Sequence, residues 1–178
     1  MKIVAISGSL RVGSSNTAVL HAAARLAPSD VNIMLFDGIA GLPFFNPDLD
    51  GDHIPKTVAA FRAAIGSADG ILISSPEYAR GVAGVMKNAL DWLVAGFEFP
   101  NKPVALVNTS PRATHALAAL TLTLETMSAR LVKEACITLP LLGTVNDENS
   151  IAANDDLAGP LRKAIEQFAA FIKSTHEA

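Results

Sequence analysis

The segment KIVAISGSLRVGSSN, residues 2–16, decides the fold of this chain. It begins with a short apolar run that predicts a strand over residues 2–7. A polar turn containing Gly8 and Gly13 follows, and a helical pattern starts at Ser15. A strand that passes through such a turn into a helix is typical of an α/β domain with a parallel sheet.

The turn between this strand and helix predicts a site for a phosphate group. A helix N-terminus presents free N–H groups and a positive dipole end to the turn, and Arg11 adds a permanent charge with a planar fork of donors. No lysine follows Gly13, which disfavours a nucleoside-triphosphate site, and Leu10 stands where the dinucleotide fingerprint requires glycine. A monophosphate fits better. The same residues also fit a plain helix cap at Ser14 or Ser15 with a solvated Arg11.

Length and composition indicate one globular domain over residues 1–178. The lone cysteine, Cys136, cannot form an intrachain disulfide and lies in an apolar segment, so we expect a core position and a cytoplasmic protein. No apolar run approaches a membrane span. The net charge of -3, without a basic stripe, argues against nucleic acid as a partner. The histidines lie far apart in the chain, and we expect no metal.

Short apolar strands alternate with longer helical patterns along the whole chain, which predicts a parallel sheet with helices on both faces. The predicted strands are 2–7, 31–36, 70–74, 103–108 and 131–139. The predicted helices are 15–26, 55–66, 84–96, 112–129 and 155–173. Ligands of such sheets bind beyond the carboxyl ends of the strands. The loops that carry polar residues at this edge are 7–15, 74–84 and 108–115.

The second of these loops carries a family resemblance. Residues 74–93 read SSPEYARGVAGVMKNALDWL, and together with GSLRVGSSN at 8–16 they resemble the NADPH-dependent FMN reductase family. The resemblance covers nearly the whole chain, including LPFFNPDLD at 42–50. It implies a flavodoxin-like α/β fold, with a five-stranded parallel sheet in the order 2-1-3-4-5 and helices on both faces, in a single FMN-binding domain.

The resemblance also implies the cofactor and the residues that hold it. The first loop would bind the FMN phosphate, and the second would run along the isoalloxazine ring. The implied FMN-binding residues are Ser9, Arg11, Ser14, Ser15, Asn16, Pro76, Glu77, Tyr78, Arg80, Gly81, Thr109 and Ser110. No side chain is expected to act as acid, base or nucleophile, because FMN carries the chemistry. Glu77 is expected to have a structural or interface role, and Tyr78 either lies beside the flavin or packs with a hydrated hydroxyl.

The third loop departs from the family pattern, which has a glycine-rich turn here. Thr109 and Ser110 can still donate hydrogen bonds to the flavin, and Arg112 or His115 can face the nicotinamide donor or an acidic substrate. Equally, Ser110 can cap the next helix with Pro111 at its first position, which requires no ligand.

The implied activity is hydride transfer from NADPH or NADH to N5 of FMN. Two electrons then pass to a quinone, an azo compound, a metal oxyanion or a flavin in a ping-pong cycle. A flavodoxin-type electron carrier is an alternative, although such carriers are more acidic and lack the arginine of the first loop. A flavin-free regulatory descendant of the fold is another.

The helix over residues 84–96 carries a second polar face with Asn88, Asp91 and Trp92. A tryptophan is a poor candidate for a fully solvated position, so this face predicts a subunit interface. The family resemblance implies a homodimer, with a tetramer as a further possibility.

Overall fold

A parallel sheet forms the centre of the fold, as the alternating pattern predicts. The computed structural model describes residues 1–51, 53–141 and 147–176. Its strands are β1 (Lys2–Ser7), β2 (Asn32–Leu35), β3 (Gly70–Ser74), β4 (Glu77–Tyr78), β5 (Gly81–Val82), β6 (Pro103–Asn108), β7 (Arg130–Leu131) and β8 (Ile137–Thr138). The sheet order is β2-β1-β3-β6-β7, with β8 also paired to β6, and every pair is parallel. The strand order reverses between β1 and β3, so a crevice opens at their carboxyl ends.

Helices cover both faces of this sheet. They are α1 (Ser15–Leu26), α2 (Lys56–Gly66), α3 (Gly84–Val94), α4 (Thr114–Thr126), α5 (Glu148–Ala153) and α6 (Asp155–His176). Side chains of a strand alternate between faces, and β1 shows this directly. Ile3 packs into a core with α1 and α6, whereas Val4 packs into a second core with α2, α3 and α4.

Most predicted elements are confirmed, and the main differences are in the fifth strand, in the helix before it and in a short hairpin. β1, α1, β3 and β6 have the predicted bounds. The predicted fifth strand, 131–139, is instead split into β7 and β8 by a 3-10 turn at Lys133–Ala135. The helix predicted over 112–129 is shorter, since α4 begins at Thr114 and ends at Thr126. The hairpin of β4 and β5 was not predicted, because two-residue strands have no periodicity to read.

The structure corrects the prediction that Trp92 faces a partner subunit. Its side chain is 0% exposed, and its indole Nε1 donates a hydrogen bond to the carbonyl of Pro43 at 2.8 Å. The ring of Phe45 packs edge-on against the indole at 5.1 Å between centroids. Asn88 also binds this segment, donating to the Pro43 carbonyl and accepting from the Phe45 amide. Trp92 is therefore covered by its own chain, and Asp91 of the predicted face forms an ion pair with Lys87.

None of the described helices is both long and apolar enough to cross a membrane.

Candidate functional site

Gly8 brings the first loop into contact with the end of β3. Its amide donates to the carbonyl of Ser74 at 2.8 Å. A Cβ atom built on Gly8 would lie 2.2 Å from Oγ and 3.1 Å from Cα of Ser75, so no larger residue fits without a shift of backbone. The loops that follow β1 and β3 therefore lie against each other at the carboxyl edge of the sheet.

Short-range hydrogen bonds shape the first loop. The amide of Arg11 donates to Oγ of Ser9 at 3.4 Å, and Ser9 is buried. Ser14 is the N-cap of α1, where its Oγ accepts from the amide of Thr17 at 3.5 Å. Gly13 has a φ of +70°, a conformation that favours glycine. Ser14 thus caps α1, as one alternative predicted. This cap does not use the other amides of the loop.

The amides of the loop point to an anion. Within the described residues, those of Val12, Gly13, Ser14 and Ser15 have no hydrogen-bond partner. The first turn of α1 contains no acidic side chain, so the positive end of the helix dipole is not neutralised. Arg11 is exposed, and no carboxylate of the described chain pairs with it. Free amides at a helix N-terminus beside an unpaired guanidinium are the kind of donors that a phosphate would use.

Asn16 connects the ends of three strands. Its Oδ1 accepts from Oγ of Ser74 at 2.9 Å and from Oγ1 of Thr109 at 3.2 Å. All three residues are buried. Asn16 stands in the first turn of α1, Ser74 ends β3 and Thr109 follows β6, so these hydrogen bonds fix the relative positions of the three loops.

A cleft of about 250 Å³ lies between these loops. It is lined by Asn16, Ser75, Pro76, Glu77, Asn108, Thr109, Ser110, Arg112 and Ala113. Oγ of Ser75 is buried and has no hydrogen-bond partner among the described residues. An orphaned hydroxyl beside a cleft is a donor that a ligand can use. The structure thus brings together five of the predicted residues, namely Asn16, Pro76, Glu77, Thr109 and Ser110.

Tyr78, Arg80 and Gly81 lie instead on the hairpin of β4 and β5, outside the cleft lining. The two residues of its turn, Ala79 and Arg80, have φ values of 49° and 60°, where glycine or asparagine is preferred. The alanine at position 79 therefore strains this turn. Tyr78 is 56% exposed, and its hydroxyl makes no hydrogen bond within the described chain.

Glu77 joins the hairpin to α4. Its Oε2 accepts a hydrogen bond from the amide of Ala116, in the first turn of α4, at 2.8 Å. A carboxylate at this position satisfies a free helix amide and interacts favourably with the helix dipole. The alternative in which Ser110 caps this helix is wrong, because the N-cap residue is Ala113, which has no side-chain cap of its own, and the first-turn amide of Ala116 is bound by Glu77. Ser110 Oγ accepts from the amide of Arg112 instead, at 3.3 Å.

The sequence reasoning did not place Ser75 or Asn108 in the site. Asn108 holds the third loop, since its side-chain amide donates to the carbonyl of Ser110 at 2.8 Å and its Oδ1 accepts from the Ser110 amide at 3.2 Å. A serine just after a strand, such as Ser75, and an asparagine that ends one, such as Asn108, give no signal of their own in one sequence. Cys136 is partly buried, which raises the pKa of its thiol, and its Sγ accepts from the amide of Leu106. Neither feature favours a nucleophile.

The chain is similar to known proteins. Residues 1–140 match the family model described as NADPH-dependent FMN reductase. A 2-hydroxy-1,4-benzoquinone reductase of a Burkholderia species is 44% identical over 113 residues, which are 62% of this chain and 61% of that relative. The chain thus spans less than two thirds of that relative's length. A quinone reductase of Pseudomonas putida is 30% identical over 178 residues and covers 96% of this chain and 94% of its own.

A solved structure is similar over nearly the full chain. The flavoenzyme NAD(P)H:(acceptor) oxidoreductase FerB of Paracoccus denitrificans superposes with a TM-score of 0.79 at 27% identity, covering 97% of each chain.

Proposed function

Because the chain belongs to the NADPH-dependent FMN reductase family, we propose that it binds FMN and transfers electrons from NADPH or NADH to a small-molecule acceptor. The observation that carries this proposal is the row of unpartnered amides at 12–15, with the unpaired Arg11 beside them. These donors form an anion site, and the cleft adjoins it through Asn16.

The residues present fit FMN. The unpartnered amides, Ser15 and Arg11 would hold its phosphate, while Ser9 and Ser14 shape the loop around it. The cleft with the orphaned Oγ of Ser75 would take the ring, and the main chain at Pro76 would border it. Tyr78, Arg80 and Gly81 would approach the ring from the hairpin, which remains a proposal. When bound, FMN supplies the redox chemistry, because its ring accepts two electrons from the donor and gives them to the acceptor.

The chain's own residues would bind the cofactor and the substrates and position them. Asn16 locks the three loops together, and Glu77 fixes the hairpin against α4. These hydrogen bonds keep the loops rigid, so the cleft would hold two bound molecules in a fixed relative position. Among the described residues that line the cleft, Glu77 is the one carboxylate, and it already accepts a hydrogen bond from the amide of Ala116. We therefore propose that no side chain acts as an acid, base or nucleophile.

We propose a quinone as the acceptor class. The names of two relatives support it, since each is described as a reductase of a quinone. In the overall reaction NAD(P)H, a proton and the quinone give NAD(P)⁺ and the hydroquinone. Donor and acceptor would occupy the same cleft in turn, which predicts ping-pong kinetics.

We also propose that the chain forms a homodimer near α3. Phe44 and Phe97 are 90% and 97% exposed, and Val94 at the end of α3 is 61% exposed. Large apolar side chains at this exposure are typical of a surface that a second chain covers. Light scattering after gel filtration tests the proposal: a dimer is expected, and a monomer at micromolar concentration would overturn it.

Anaerobic reduction tests the proposed function. NADPH or NADH should bleach the yellow colour of the purified protein reconstituted with FMN, and a quinone should restore it. A yellow protein that neither nucleotide reduces would favour an electron carrier. A protein that cannot be reconstituted with FMN would favour a flavin-free descendant.

A further inference from the structure

The cleft contains an arginine to which the FMN site assigns no task. Among the described side chains that line it, Arg112 is the one cation and Glu77 the one anion. Arg112 is exposed, and its guanidinium makes no hydrogen bond or ion pair with the described part of the chain. Arg112 therefore borders the cleft with a permanent charge that has no partner in the described part of the chain.

Glu77 does not neutralise this charge by contact. Its Oε2 is engaged by the amide of Ala116 at 2.8 Å, which ties the carboxylate to the N-terminus of α4. Ion pairs in the described residues join Arg62 to Asp50, Lys87 to Asp91 and Lys173 to Asp30, and none includes Glu77 or Arg112.

The backbone beneath Arg112 is held in one conformation. Its amide donates to Oγ of Ser110 at 3.3 Å, and the next amide, of Ala113, donates to the Ser110 carbonyl at 3.0 Å. Asn108 in turn holds Ser110 through two hydrogen bonds. The side chain of Arg112 therefore starts from a fixed turn, which lowers the entropy that its guanidinium loses when it binds a ligand.

We propose that Arg112 determines substrate specificity by binding an oxyanion of the molecule that enters the cleft. A guanidinium fork matches a carboxylate, an ionised hydroxyl or a phosphate better than it matches a neutral carbonyl. The oxyanion has two sources in this reaction, namely the acceptor, if it is an ionised hydroxyquinone, and the phosphates of the nucleotide donor. The inference rests on the proposed function, because both molecules are substrates of it.

Steady-state kinetics with acceptors that differ in charge test this role. The two acceptors are 2-hydroxy-1,4-naphthoquinone, an anion at neutral pH, and the neutral 1,4-naphthoquinone. Arg112→Gln should lower kcat/KM for the anion about tenfold and leave the value for the neutral quinone within about twofold. Arg112→Lys, which keeps the charge, should recover part of the loss. Arg162→Gln is the matched control, since Arg162 is exposed on α6 and has no partner in the described chain.

The second arm replaces the donor. A fall in kcat/KM for NADPH relative to NADH in Arg112→Gln, with an unchanged ratio for the two quinones, would assign the oxyanion to the nucleotide. A change in the quinone ratio alone would assign it to the acceptor. Either result supports binding of an oxyanion by Arg112.

A direct binding measurement requires no turnover. Calorimetric titration with 4-hydroxybenzoate and with the uncharged 4-hydroxybenzamide, which are redox-inert and matched in shape, should show tighter binding of the benzoate to the wild type. Arg112→Gln should remove this difference. Equal binding of both probes by the wild type, together with unchanged kinetic ratios in the variant, would overturn the inference.

Failure of the inference is distinguishable from failure of the proposed function. If the wild type binds FMN and oxidises NAD(P)H but Arg112→Gln changes no charge-dependent ratio, only the role of Arg112 is wrong. If the wild type binds no FMN, the proposed function is wrong, and the benzoate titration of the cofactor-free chain still decides whether Arg112 binds oxyanions.

Discussion

The loops that follow β1 and β6 meet at one edge of the sheet but are held in different ways. The loop at 8–16 is shaped by neighbours in sequence, such as Ser9 with Arg11 and Ser14 with Thr17. The loop at 108–115 also contains a local turn, in which Asn108 binds Ser110. It depends in addition on distant residues, because Thr109 binds Asn16 and Glu77 binds the first turn of the helix that follows.

This difference matches the two tasks we propose. The cofactor phosphate stays the same while the substrates in the cleft change. A loop shaped by local hydrogen bonds presents the same donors to that phosphate whichever substrate is bound. The loop at 108–115 faces the molecule that varies, and its Arg112 is free to select among substrates. Variants of the loop at 8–16 should therefore change stability and cofactor affinity, whereas Arg112 variants should change substrate preference.

Gly8→Ala should have the largest effect, because it disrupts the contact between the loop at 8–16 and the end of β3. The new Cβ would meet Ser75, backbone included, and the shift should lower the free energy of unfolding by about 1–3 kcal/mol. Denaturant unfolding measures this. Gly159→Ala is the control, since nothing lies within 4 Å of a Cβ there. Equal stability of wild type and Gly8→Ala would show that Gly8 is not closely packed against Ser75.

Arg11→Ala should affect the cofactor alone. We expect FMN to bind about 10 to 100-fold more weakly, the effect of losing a charge-assisted contact of about 1.5–3 kcal/mol. Quenching of FMN fluorescence gives the dissociation constant, and Arg162→Ala serves as a control. Thermal stability of the cofactor-free protein should not change, because Arg11 makes no side-chain contact within the described residues. An unchanged dissociation constant would place Arg11 in solvent.

Substitution of Glu77 tests the distant contact at the end of the loop at 108–115 and leaves the loop at 8–16 unchanged. Glu77→Ala should cost about 0.5–2 kcal/mol of stability, as the loss of a helix cap does, and Glu77→Gln should cost less because its amide oxygen still accepts from Ala116. Chemical denaturation of the three proteins gives the values. If Gln and Ala were equally destabilising, charge rather than hydrogen bonding would hold the hairpin on α4.

The smallest effect is expected from an ion pair outside both loops. Arg62 donates two hydrogen bonds to Asp50, which lowers the pKa of that carboxyl below its usual 3.8. A lowered pKa stabilises the fold above the unfolded-state value, and this contribution is lost as the pH falls through the folded-state value. Wild type should exceed Asp50→Asn in stability by at most about 1 kcal/mol at neutral pH, and the gap should close below about pH 4. A gap that persists in acid would show that the charge does not matter.

The same division between local and distant contacts explains what the sequence predicts. The strand, turn and helix of residues 2–26 are predicted with correct bounds. The signals for them are all local in sequence, namely the spacing of apolar residues, the glycines of the turn and the Ser14 cap. The start of α4 is misread because its capping group is Glu77, far away in sequence. Trp92 is misassigned for a similar reason, since helical spacing gives no sign that Pro43 and Phe45 cover it.

The central claim is that the loop at 8–16 binds the phosphate of FMN, and comparison of FMN with riboflavin tests it most directly. The two molecules share the ring and the ribityl chain and differ in the phosphate. Titration of the cofactor-free wild type with each should show FMN binding at least about 100-fold more tightly, as several charge-assisted hydrogen bonds require. Equal affinities for FMN and riboflavin would contradict the account.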